Sequence, residues 1–184
     1  MSATTEINMS SAPVAVVDLL QSLLEAAVNS VFRFMGEGSP YLSRATVEVR
    51  RPLAQMVIAE HRRAGELANA IESLGATARP KALIRREEQF LAFLSLKFLL
   101  PKLVDEKKLH IERYENAIEA MLPLPQVPPE MPTLLQSHLA ELRNELVALE
   151  QAAAHIARST AAAKDPSQPA GGTKKNSDAG PAAG

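Results

Sequence analysis

The chain has 184 residues, a length that suits one domain with polar ends and not two full cores. Its 46% hydrophobic content can supply a core, whereas 4% aromatic residues and no Trp argue against a β-sandwich or a stacking platform for single-stranded nucleic acid. A net charge of −1 removes any global electrostatic case for nucleic-acid binding, and the absence of Cys excludes disulfides, thiolate nucleophiles, Cys-based zinc sites and iron–sulfur ligation.

Residues 1–12 are small and polar and are expected to be disordered. The first apolar stretch, Val14 to Val31, is interrupted by Asp18 and Glu25, which fits neither a signal peptide nor a membrane span. A soluble, cytoplasmic protein without membrane association is therefore expected. The pattern predicts a first helix from Pro13 to Met35, where GEGSP stops it. Val17, Leu20, Leu24, Val28, Val31 and Met35 form its apolar stripe at three-to-four spacing.

A second helix is predicted from Pro52 to Leu74, on the spacing of Leu53, Met56, Val57, Ala64, Leu67, Ala70, Ile71 and Leu74, with Gly75 as its C-cap. The preceding TVEVR alternates like a strand but has no partner, which leaves a loop or an irregular helical start. The region 36–51 is thus undecided, as is 76–93, where residues 82–93 read as a short helix or a connection. A third helix is predicted over roughly Leu94 to Leu122, through Leu96, Leu100, Leu103, Val104, Ile111, Tyr114, Ile118 and Met121. Pro101 inside it predicts a kink or a delayed start.

After the Pro-rich LPLPQVPPEMP, a fourth helix is predicted from Thr133 to Ala157, burying Leu135, Leu139, Leu142, Leu146, Leu149 and Ile156. Residues 161–184 are rich in Ala, Gly, Pro and Lys and cannot offset their ordering entropy, so a solvated, slightly basic tail is expected. The expected architecture is an all-α, antiparallel four-helix bundle over residues 13–160. No glycine-rich phosphate loop, nucleophile elbow or internal repeat occurs in the sequence.

Chemistry in such a fold must come from polar side chains on the inward stripes. Glu60 falls where an apolar residue is due, and a buried carboxylate requires a cation, a metal or a proton. Arg63 follows at i+3 on nearly the same face. Lys107 stands between Val104 and Ile111 in the third stripe, while Glu25 and Glu141 flank theirs.

Four segments resemble the helices of the ferritin-like, rubrerythrin-type family. These are LLQSLLEAAVNSVFRFM, IAEHRRAGELANAIESLGATARP, FLLPKLVDEKKLHIERYENAI and HLAELRNELVALE, spanning about Val14 to Ala157. The resemblance implies a di-metal site built from one Glu each on helices one and three and a Glu-x-x-His on helices two and four. Glu25, Glu60 and Glu141 match three of those carboxylates. Arg63 and Asn144 stand where the two His belong, Lys107 takes the third-helix Glu position, and Glu106 lies one residue off the face. The resemblance thus implies a degenerate metal site in which Arg63 and Lys107 neutralise Glu25, Glu60 and Glu141 and exclude iron; the opposing possibility is that both cations snorkel to the rim.

Three functional readings follow. The first is a bundle that has lost its di-metal centre, binds no cofactor and serves a non-catalytic binding or structural role, with self-association or an unidentified protein partner. The second is a di-iron oxidoreductase or iron-handling protein with a shifted ligand set of Glu25, Glu60, His61, Glu106, His110, His138 and Glu141. The third is a helical adaptor that binds an amphipathic segment in a groove, with the FLAFLSLKFLL run as a candidate patch and the tail as a tether. Arginine doublets interleaved with Glu read as solvated, ion-paired faces, and His155 near the end of helix four suits the helix dipole.

Overall fold

The computed structural model describes residues 11–36, 47–81 and 96–162. Among the described residues the regular structure is entirely helical: α1 (Ser11–Val28), α2 (Val31–Gly36), α3 (Val47–Ser73), α4 (Leu96–Met121) and α5 (Glu130–Ala162). None of these helices is long and apolar enough to cross a membrane. The expectations for residues 1–10, 37–46, 82–95 and 163–184 lie outside the described residues, while α1 begins two residues ahead of the predicted Pro13 and α5 runs from three residues before the predicted Thr133 to five beyond Ala157.

The single first helix of the sequence pattern is two helices. Its periodicity continues through Asn29–Ser30, but side chains there take over the backbone's hydrogen bonds. Asn29 Nδ2 donates to the Glu25 carbonyl and to the Lys81 carbonyl, both at 2.8 Å. Ser30 Oγ accepts the Phe32 amide at 3.2 Å and so caps α2. Arg33 Nη1 reaches the Val28 carbonyl at 3.1 Å, placing a cation at the negative end of α1.

The TVEVR stretch is helical from Val47 onward, five residues ahead of the predicted start at Pro52. Pro52 and Pro101 each stand five residues into their helices, where a proline ring forfeits one backbone bond without ending the helix. The predicted delayed start at Pro101 is absent, since α4 begins at Leu96. At its other end α3 closes in a Schellman motif. Gly75 adopts φ 78°, its amide bonds the Glu72 carbonyl at 2.9 Å, and the Ala76 amide bonds Ile71 at 3.2 Å.

The most extensive packing is α4 along α5; α1 packs on α3 and α4, α3 on α5, and α2 on both α3 and α4. Two apolar clusters result. One gathers Leu20, Leu23 and Leu24 of α1, Leu67 and Ile71 of α3, Tyr114 and Met121 of α4, and Leu135 and Leu142 of α5. The other gathers Phe32 of α2, Leu53, Met56 and Val57 of α3, Leu99 and Leu103 of α4, and Leu149 of α5. Of the FLAFLSLKFLL run, Leu99 and Leu100 are core whereas Phe98 is 63% exposed. Val57 and Leu67, in different clusters, are ten residues apart on one helix, or about 15 Å of rise. Buried Glu60, Arg63, Lys107 and His110 fall in that gap, whereas buried His138 lies beside the first cluster and Asn29 and Ser30 at the α1–α2 break.

Candidate functional site

Three helices reach the gap with the residues that continue their inward stripes. On α3 these are Glu60 and Arg63, between Val57 and Leu67; on α4, Lys107 and His110, between Leu103 and Tyr114; on α5, Glu145, between Leu142 and Leu149. Arg63 is 1% exposed, Lys107 is fully enclosed and Glu60 is 3% exposed, so the cations do not snorkel to the rim.

These side chains form one connected layer. Glu60 Oε2 accepts from Arg63 Nη2 at 2.7 Å and lies 3.6 Å from Lys107 Nζ. Glu145 receives Arg63 through both oxygens, at 2.7 and 3.0 Å, and Lys107 Nζ at 2.7 Å. The fork of Arg63 therefore spans Glu60 and Glu145, as a planar guanidinium with several fixed donors can. Lys107 Nζ also stands 4.0 Å from the centre of the Phe32 ring, a cation–π contact. His110 Nδ1 is 3.2 Å from Glu60 Oε1, and its buried Nε2 faces Glu106 Oε1 at 3.5 Å without a hydrogen bond.

Two cations are thus enclosed with two carboxylates. Burial alone would raise the Glu60 carboxyl, but His110, Lys107 and Arg63 together outweigh it and hold the group well below the usual carboxylate range. Burial would likewise lower the Arg63 guanidinium, and its bonds to Glu145 and Glu60 instead raise it.

Towards solvent the layer continues as a polar rim. Glu141 bonds Arg62 and lies 3.3 Å from Arg63 Nη1, and Arg62 Nη1 holds Glu66 at 2.8 Å. Glu66 Oε2 in turn meets His138 Nε2 at 2.7 Å, and His138 Nδ1 meets the Tyr114 hydroxyl at 3.1 Å. A continuous polar chain therefore runs from the Tyr114 phenol to the Glu60 carboxylate.

Among the sequence-predicted residues, Glu60, Arg63 and Lys107 meet directly and Glu141 joins them from the rim. Glu25 and Asn144 do not. Glu25 is half-buried on α1 with no ion pair to the layer among the described residues, and Asn144 is exposed along a groove between α3 and α5. Of the shifted ligand set, His61 is exposed with Nδ1 2.8 Å from the Val57 carbonyl, while His138 pairs with Glu66 instead of Glu141. No three His, Asp or Glu side chains among the described residues gather as metal ligands.

Glu145 was missing from the sequence-based site. Its signal is in the sequence: it stands three residues after Leu142 and four before Leu149, on the stripe, beside Leu146, which the apolar spacing selects instead. No protein-family model, curated protein or solved structure matches the chain.

Proposed function

We propose that this chain is a ferritin-like, antiparallel four-helix bundle in which an ion-paired layer occupies the place of a di-metal centre, and that its role is structural or binding, without catalysis. The broken pair α1–α2 serves as the first helix of the four. The order of contacts supports the antiparallel arrangement: Lys107 meets Glu145 and Glu115 meets Arg143 across α4 and α5, while Arg63 meets Glu145 and Glu66 meets His138 across α3 and α5. In each pair of helices, residue numbers rise on one side as they fall on the other.

One observation carries the functional reading. Arg63 and Lys107 are lodged between Glu60 and Glu145, the position in which bridging carboxylates would share divalent ions. Nitrogen atoms at 2.7 Å already occupy the carboxylates' inward lone pairs, and two fixed positive charges oppose the entry of a third. Metal analysis of protein produced with iron supplied tests the reading. Well under one ion per chain is expected, and two ions retained per chain would overturn it.

A further inference from the structure

Where α1, α2 and α3 meet, at the α1–α2 break, lies a cleft of about 390 Å³, within the size range of small-molecule sites. The small side chains of Ala27 on α1 and Ala64 on α3 leave this room. Among the described residues, Val28 and Pro80 complete the apolar wall, and Glu60, His61 and Arg33 form the polar side.

Each part of the wall is held by its own intramolecular bond. Asn29 Nδ2 donates to the Lys81 carbonyl at 2.8 Å and anchors the backbone next to Pro80 against the end of α1. Arg33 Nη1 donates to the Val28 carbonyl at 3.1 Å, and His61 Nδ1 lies 2.8 Å from the Val57 carbonyl. Glu60, only 3% exposed, accepts from Arg63 at 2.7 Å. A site ordered in advance in this way loses little freedom when it is filled.

We propose that this cleft binds a small neutral molecule with an apolar body and a hydroxyl donor, of the alkylphenol class. The apolar wall takes the body, and the polar atoms decide the rest. A carbonyl only accepts, so His61 carries its proton on Nδ1, and the neutral ring presents Nε2 as a lone pair. An ionised carboxylate has about four lone-pair sites. Three nitrogens approach that of Glu60: Arg63 at 2.7 Å, His110 at 3.2 Å and Lys107 at 3.6 Å. Glu60 and His61 can therefore each take a further hydrogen bond, and neither can give one. Charge on the ligand is disfavoured in either sign. An anion meets the Glu60 carboxylate, whereas a cation finds that charge already matched by Arg63 and Lys107. The cleft takes up the binding side of the role proposed above and names the chemistry it would serve.

The test is amide NMR of the full chain at neutral pH, titrated separately with para-ethylphenol, para-ethylanisole, para-ethylbenzoate and para-ethylbenzylamine. These probes share one apolar body and differ in donor and charge. The phenol is expected to bind with a dissociation constant on the order of 0.1–1 mM and to shift the amides of Ala27, Val28 and Ala64. The anisole, which has lost the donor, should bind roughly three- to tenfold more weakly, and both ions more weakly than the phenol. Ala64→Leu fills the cleft with a good helix former and should weaken the phenol roughly tenfold or more. Ala59→Leu, in the separate groove between α3 and α5, should leave it unchanged. Absence of saturable binding in the millimolar range, equal binding of phenol and anisole, or tighter binding of either ion would each overturn the proposal. Shifts confined to other residues, or a constant unmoved in Ala64→Leu, would do the same, as would an equal loss in Ala59→Leu. If Ala64→Leu does not fold, the wild-type titrations decide it alone. Iron content is measured on separate samples, so the metal-free reading and this site can fail independently.

Discussion

Removing the Lys107 ammonium is the sharpest perturbation of the charged layer. Its nitrogen lies 2.7 Å from Glu145, 3.6 Å from Glu60 and 4.0 Å from the Phe32 ring centre, and the side chain is fully enclosed, so no solvent screening discounts these contacts. Lys107→Met preserves most of the side-chain volume and leaves two carboxylates facing Arg63 and His110. Stripping one partner from a buried ion pair costs about 3–5 kcal/mol, and the lost cation–π contact adds on the order of 1 kcal/mol. The methionine's apolar burial returns a comparable amount, so the net loss should remain about 3–5 kcal/mol. For a domain of this size that is a fall in melting temperature of about 6–20 °C. Urea unfolding at pH 7, followed by far-UV circular dichroism, measures it. Adding Glu145→Gln should recover half or more of the loss, because the unpaired charge is gone even though the pair is not restored. A single variant within about 1 kcal/mol of wild type would refute the reasoning, as would a double variant no more stable than the single.

The remaining predictions are narrower. Glu60 has a depressed folded-state pKa, so its contribution is complete above the unfolded value of 4.5 and is lost as pH falls below it. Glu60→Gln should therefore lower stability at pH 7 and flatten the unfolding midpoint between pH 4.5 and 3, measured by acid titration. Glu25→Gln and Asn144→Ala should each change stability by less than about 0.5 kcal/mol in urea unfolding, since neither side chain joins the layer. Gly75→Ala should cost about 1 kcal/mol by the same assay: a Cβ there meets no atom within 4 Å, and the penalty is that of the positive φ alone.

The helices were legible because each carries a stripe of large apolar residues at helical spacing, and Glu60, Arg63 and Lys107 were legible as charges interrupting those stripes. The α1–α2 break was not, because the apolar spacing runs straight through it. It depends in part on Asn29 bonding a carbonyl 52 residues away, an interaction that no local window contains. Glu145 shows a different limit. Glu141 and Glu145 are one helical turn apart, and both fit the edge of the α5 stripe. Which of them turns inward is decided by where Arg63 and Lys107 arrive from α3 and α4. The family resemblance implies Glu25, Glu60 and Glu141 against two cations, an unbalanced sum. With Glu145 mostly buried against both cations, Glu141 on the rim and Glu25 apart, the layer holds two charges of each sign. That neutrality offsets the cost of burying so much charge, and it is a property of the register between three helices that no single helix encodes.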